Sequence, residues 1–176
     1  MRQTSFAQMA CSMARSLELI GDWWTPLIIR DLYLGLDRFD ALADDLGISR
    51  NLLATRLAHL VRHGIVARQR YSEHPPRDQY VLTEAGQDLM PVLLALTAWG
   101  DRWATPEGGP PLVFRHRRCG QRFTPAVSCD ACGQPIQQGE VEALRGPGAR
   151  TGPGTAVIAQ VVAGGPDSPS HVSSSA

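Results

Sequence analysis

Apolar residues recur at helical spacing through most of the first hundred positions of this chain. From about Ala7 to Leu19, with Ile20 just beyond, Met9, Met13 and Leu17 fall on one face of a predicted helix. Gly21-Asp22 interrupts, and Trp23 to Tyr33 is apolar on several sides, which predicts a central helix. Pro26 suits its first turn, where a missing N–H costs nothing, and Gly35 ends it. Phe39, Leu42, Ala43 and Leu46 predict a short amphipathic helix stopped by Gly47. Ser49 is a good N-cap for the next helix, Arg50 to about His63, whose stripe is Leu53, Leu57, Leu60 and Val61. Gly64 closes it.

The period then changes. Ile65 to Tyr71 alternates as a strand, and Gln79 to Leu82 reads as its return. Between them "SEHPPR" is expected to leave the ladder as a protruding loop, because two prolines remove donors. Thr83 caps a longer helix over "EAGQDLMPVLLALTAWGDRW", with Leu89, Val92, Leu93, Leu96, Trp99 and Trp103 in one broad stripe and Pro91 expected to kink or locally loosen it. That stripe exceeds what a small domain needs at its edge, so a second copy of the chain is the expected partner.

The predicted fold is mainly α with a small antiparallel β wing, a winged helix-turn-helix, over residues 1–104. A linker at 105–111, "TPEGGPP", separates it from a small cysteine-rich, zinc-ribbon-like appendage at 112–144. Residues 145–176 are rich in Gly, Pro and Ser and are expected to be a disordered tail, with "TAVIAQVVA" a candidate strand or weak docking segment. No apolar run reaches the roughly 20 residues of a membrane span, and the first residues do not read as a signal peptide, so a cytoplasmic location is expected.

Composition adds one point. The net charge is zero, and all 17 basic residues are Arg, so bulk charge does not point to a polyanion. Placement does: Arg50, Arg56, Arg62, Arg68, Arg70 and Arg77 fall in a stretch whose own acid is Glu73. A basic face on a neutral protein fits DNA binding by one side. Against the bland reading of a solvated helix face stand the cap, the wing and this local excess. Arg50, Asn51 and Thr55 are candidates for base edges, with Ala54 or Thr55 suited to a thymine methyl. Ser49, Arg56, His59 and Arg62 are candidates for phosphates, and His74 and Arg77 for the minor groove or backbone. No nucleophile–base constellation points to an enzyme. The competing reading is a protein-interaction module that has lost DNA binding.

Two cysteine features stand apart. Cys11 is either a buried small hydrophobe or a thiol sensor, since a first helical turn with Arg15 four residues on favours a thiolate. His116-x2-Cys119-x9-Cys129-x2-Cys132 offers three thiolates and an imidazole, a ligand set for one structural Zn2+. A thiol switch or a ribbon that has lost its ion are the alternatives.

Residues 11–103 also resemble the HxlR-type winged helix-turn-helix transcriptional regulators. The resemblance is carried by "C-x9-G-x2-W-T" (Cys11, Gly21, Trp24, Thr25), "LIIRDL", "RFDAL", "GISRNLLATRLAHLVRHGIV" and "PPRDQYVLTEAGQDLMPVLLALTAWG". Trp23 stands where the family usually has a basic residue. The resemblance implies homodimers joined through the first and last helices, inverted-repeat operators, and, in some relatives, a cysteine at the place of Cys11 that senses oxidants or electrophiles.

Overall fold

A computed structural model describes residues 5–163 of the chain. The described residues divide into two compact units, Asp22–Ile136 and the pairing of 5–21 with 137–163.

The larger unit runs α2 (Thr25–Leu34), α3 (Phe39–Leu46), α4 (Arg50–Arg62), β1 (Val66–Glu73), β2 (Pro76–Leu82), α5 (Glu84–Asp88), α6 (Met90–Trp103), β3 (Phe114–Arg115) and β4 (Arg122–Phe123); α1 (Ser12–Ile20) and α7 (Ile158–Ala163) belong to the other. Its core is the intersection of the predicted stripes. Ile28, Ile29, Leu42, Leu53, Leu57, Leu60 and Val66 are fully buried, with Ile48, Ile65, Met90 and Leu93 around them. Each such side chain contributes about 1.5–3 kcal/mol over its exposed state. Val61, assigned to the α4 stripe, lies at the margin and is exposed.

The turn between α3 and α4 depends on Gly47, at φ 59°, a left-handed conformation that side chains disfavour. Ile48 then drops into the core, and the Ser49 hydroxyl accepts from Leu52 N at 3.4 Å to cap α4. At the far end Thr83 fixes two elements at once. Its hydroxyl donates to the Gly64 carbonyl at 2.6 Å and accepts from Gly86 N at 3.3 Å, tying the end of α4 to the start of α5.

β1 and β2 pair antiparallel from Val66↔Leu82 through Arg70↔Asp78, then, past a bulge at Tyr71, through Ser72↔Arg77 and Glu73↔Pro76. The expectation of an unpaired "SEHPPR" loop is therefore corrected. The turn is His74-Pro75 alone, and Pro76 occupies the first position of a strand, where proline is tolerated. On its other edge β2 meets the segment before α3, through an Arg38↔Gln79 bridge and a 2.7 Å bond from Tyr80 N to Asp37 O. The guanidinium of Arg38 lies 3.9 Å from the centre of the Tyr71 ring. The wing is thus attached to the helix-turn-helix at its base.

The single long helix expected after Thr83 is two. α5 ends at Asp88, and α6 begins at Met90 with Pro91 in its first turn. Proline cannot donate the amide that would continue α5, so it starts a new helix instead of kinking an old one. α6 buries Met90 and Leu93 and leaves Val92, Leu96, Trp99 and Trp103 at 56–65 % exposure along one stripe. A cavity of about 220 Å³ lies between α2 and α6, closed partly by Leu112 and Phe114. The segment after the linker therefore returns to the helices of its own unit.

In the smaller unit α1 starts at Ser12, later than its periodicity predicts. The Glu18 carboxylate accepts from Phe6 N at 2.6 Å and from the Ser5 hydroxyl at 2.9 Å, holding the preceding residues in a turn. Within the tail expected to be disordered, residues 158–163 form a helix, α7, where a strand or a weak docking segment was the alternative considered for "TAVIAQVVA". The part of the expected tail beyond residue 163 lies outside the described residues. Among the described residues no helix is long and apolar enough to cross a membrane.

Candidate nucleic-acid interface

α4 has two chemically distinct faces. Leu53, Leu57 and Leu60 fill the core, so Asn51, Ala54, Thr55, Ala58 and Arg62 must point outward, and all five are exposed. The Thr55 hydroxyl donates back to the Asn51 carbonyl at 2.9 Å, which leaves the methyl as the free end of that side chain. The outward surface is small near its start and basic near its end, a shape that permits close approach to a groove floor. His59 and His63 meet at the C-terminal end with their rings tilted by 52°, centres 4.4 Å apart, and Arg62 Nη2 lies 3.5 Å from His59 Nδ1.

The arginines are where the tertiary structure changes the picture. Arg50 Nη1 lies 2.7 Å from Asp40 Oδ1, and its guanidinium sits over Phe39 at 4.9 Å. Arg56 is mostly covered, its Nε 3.3 Å from Asp22 Oδ1 but outside good hydrogen-bond geometry. In the wing, Arg68 and Arg70 converge on Asp78, Arg68 Nε at 2.8 Å and Arg70 Nε at 3.2 Å. Hydrogen bonding from Arg68, reinforced by Arg70, holds the Asp78 carboxyl below its ordinary range and raises Arg68 in turn. Among the described residues, Arg62 and Arg77 make no ion pair. The basic surface read from residues 50–77 is therefore largely neutralised, by Asp22, Asp40 and Asp78 from outside that stretch and by Glu73 within it, 3.6 Å from Arg70.

Sequence reasoning saw acids such as Asp40 clustered just before the stretch but missed which arginines Asp22, Asp40 and Asp78 would meet. Asp22 does most: besides facing Arg56, its Oδ1 accepts from Trp24 N at 2.9 Å and Thr25 N at 3.1 Å, and its Oδ2 accepts the Thr25 hydroxyl. Asp before a Pro-opened helix is a capping signal legible in the sequence; the partnership with Arg56 is not. Asp31, buried within α2, is pushed up by burial, against the lowering effect of its bond from Arg30 Nε at 2.7 Å.

The remaining predicted sites separate. Ser49, Arg50, Asn51, Thr55, Arg56, His59 and Arg62 share α4 and its cap, while His74 and Arg77 are exposed at the tip of the wing. Cys11 is not in the first turn of α1. It is the residue before it, half-buried, and the Arg15 guanidinium is directed to the Ala7 carbonyl at 2.6 Å. An open depression beside Cys11 is also lined by Arg15 and Arg150.

His116, Cys119, Cys129 and Cys132 occupy two turns. His116 Nδ1 is 3.3 Å from Cys119 Sγ, and the backbone amides of Cys132 and Ala131, with the Cys132 thiol, hold the Cys129 thiol below its ordinary value. Among the described residues no three His, Cys, Asp or Glu side chains already converge as a metal-holding group. The four expected ligands stand as two pairs.

Comparison with known proteins places residues 19–108 in the HxlR-like helix-turn-helix model. An HTH-type transcriptional regulator of Mycobacterium tuberculosis strain H37Rv is 43 % identical over 137 residues, 78 % of this chain and 87 % of that protein. A match that long in a 176-residue chain runs through the His116–Cys132 segment as well. Among solved structures, PA1607, described as a candidate transcription factor, has a TM-score of 0.71 at 33 % identity, covering 81 % of this chain and all of that one. The redox regulator HypR in its reduced form has a TM-score of 0.50 at 30 % identity, covering 52 % of this chain and 92 % of that one. The named relatives are regulators of transcription, not enzymes.

Proposed function

This chain belongs to the HxlR-like helix-turn-helix family of transcription regulators, and on that footing we propose that it acts in the cytoplasm as a homodimer on an inverted-repeat operator. The observation that carries the reading is the division of α4 into a buried leucine face and an exposed face of Asn51, Thr55, Ala58 and Arg62, beside a two-stranded wing. α4 lies in the major groove, where Arg50 and Asn51 reach guanine and adenine edges and the Thr55 methyl meets thymine. Ser49, His59 and Arg62 contact phosphates, and His74 and Arg77 reach the adjacent backbone or minor groove. Arg50 is drawn from Asp40 when phosphates and bases compete for it, because an exposed ion pair is worth only about 0–1 kcal/mol. The second copy docks on the exposed stripe Val92, Leu96, Trp99 and Trp103, with the apolar residues Met13 and Leu17 of α1 as further contacts. Two-fold symmetry then spaces the half-sites by about 10 bp or a multiple.

Mobility shifts against the promoter of its own or a neighbouring gene, run at several salt concentrations, test this. Binding should weaken steeply as salt rises, because each phosphate contact releases counterions. Binding that is absent, or indifferent to salt, argues for a protein-interaction module instead.

The signal is read at Cys11. Its half-buried place beside Arg15 and Arg150, and the likeness to a redox regulator, support a thiol that responds to oxidants or electrophiles. Diamide should lower operator affinity of the wild type and leave Cys11→Ser unaffected. Equal responses in the two proteins would remove Cys11 from the mechanism.

A further inference from the structure

Two loops of the larger unit are copies of one turn. His116-Arg117-Arg118-Cys119-Gly120-Gln121 and Cys129-Asp130-Ala131-Cys132-Gly133-Gln134 share a frame of ligand, two residues, ligand, Gly-Gln. In the first, His116 N donates to Gln121 O and Gly120 N donates to His116 O, both at 2.8 Å. In the second, Cys129 N donates to Gln134 O at 2.9 Å and Gly133 N donates to Cys129 O at 2.8 Å. Gly120 and Gly133 take φ 72° and 74°, so the same left-handed residue closes each turn. A short antiparallel pairing leads into each turn and out again, β3 with β4 around the first and Ser128↔Pro135 around the second.

Little else holds this segment together. No residue from Leu112 to Ile136 is buried, and its strands are two residues long. Its ring contacts are Phe114–Phe123, 6.4 Å between centres, and His116–Phe123 at 6.1 Å. A segment this small and this exposed lacks the burial that ordinarily offsets chain entropy, and a metal ion is the usual substitute. The three cysteines are free thiols, available as ligands.

We propose that His116, Cys119, Cys129 and Cys132 bind one Zn2+ ion per chain, each turn contributing one pair. The donor set of one nitrogen and three sulfurs selects a borderline-soft, tetrahedral ion. Binding exchanges three thiol protons, released to solvent, for three sulfur–metal bonds. His116 binds as the neutral imidazole through Nδ1, the nitrogen already turned toward Cys119. Closure brings the second turn onto the first, and the chain between Cys119 and Cys129 is almost wholly exposed, so no packed core resists the movement. The role is structural: the ion fixes the segment that begins at Leu112 and Phe114, beside the cavity between α2 and α6.

The test uses the full chain, reduced, loaded with Zn2+ and desalted, with metal measured by inductively coupled plasma mass spectrometry. About one zinc per chain is expected for wild type and for Cys11→Ser, and at least a two-fold loss for both His116→Ala and Cys129→Ser. Retention of no zinc by reduced wild type, or full retention by His116→Ala, overturns the proposal. Co2+ titration of the wild type checks it without any substitution. Intense d–d bands with thiolate-to-metal charge transfer support a tetrahedral sulfur site, and a weak octahedral spectrum overturns it. None of these readouts depends on DNA binding.

Discussion

Arg56, in the middle of α4, faces Asp22, whose carboxylate holds the entry to α2, with 3.3 Å between Nε and Oδ1. One carboxylate thereby serves two helices: it accepts from Trp24 N and Thr25 N at the entry to α2 and balances a largely covered cation on α4. Asp22→Ala removes both functions and should cost about 1–3 kcal/mol in chemical denaturation. Arg56→Ala should also destabilise. If it instead leaves the denaturation midpoint in place and weakens DNA binding evenly across sequences, Arg56 is a phosphate contact and its pairing with Asp22 is incidental.

Arg50 and Asp40 form an exposed pair at the mouth of the same helix. Arg50→Ala should cost about 1–3 kcal/mol on the preferred operator and relax base preference at one position of each half-site. Asp40→Ala should have the opposite sign, tightening binding to every sequence by freeing the guanidinium and removing a negative charge. Competition binding with single-base operator variants separates the two effects. An equal loss on all variants for Arg50→Ala would reduce it to a backbone contact.

The stripe of Val92, Leu96, Trp99 and Trp103 is exposed on α6 while Met90 and Leu93 of the same helix are buried. Trp99→Glu should leave the fold intact and shift the chain from dimer to monomer in analytical ultracentrifugation, because Trp99 lies off the buried face of α6 and outside the cavity that α6 forms with α2. Operator affinity should fall with it, since a single half-site contributes a fraction of the binding free energy. A dimer that survives Leu96→Glu and Trp99→Glu together places the interface elsewhere.

Gly86 sits under the end of α4. A Cβ built there meets the Ile65 carbonyl oxygen at 2.2 Å, a backbone atom that cannot swing aside. Gly86→Ala should therefore destabilise by about 1–3 kcal/mol through overpacking, although alanine is the better helix former. Thermal melting measures it, and an unchanged melting temperature would contradict the packing of α5 against the α4–β1 turn.

Asp31 provides the pH dependence. Burial raises its folded pKa above the ordinary 3.8 despite Arg30, so the folded state holds this proton more tightly than the unfolded chain does. The contribution to stability is fully present below the unfolded value and is lost as pH rises through the folded one. Asp31→Asn should flatten that part of the stability-against-pH curve. NMR titration of the carboxyl carbon should place its midpoint above 3.8, and a midpoint at or below that value would reverse the sign.

The sequence by itself determined the order and type of the elements that build the winged helix. Those depend on local chemistry: the 3.6-residue stripe of Leu53, Leu57 and Leu60, the caps at Ser49 and Thr83, the glycine at Gly47, and the change to alternation at Ile65. It also marked the repeated ligand spacing at His116–Cys119 and Cys129–Cys132, because that spacing is a property of one turn. Boundaries governed by backbone donors were less legible. The wing ladder runs on to Glu73↔Pro76, and Pro91 starts a helix where a kink was expected. Only the tertiary structure decided which arginines carry free charge. Asp22, Asp40 and Asp78 reach Arg56, Arg50 and the Arg68–Arg70 pair across different elements, leaving Arg62 and Arg77 without ion pairs among the described residues. Ion pairing follows distance through space, which local sequence reports only when both partners lie on one element.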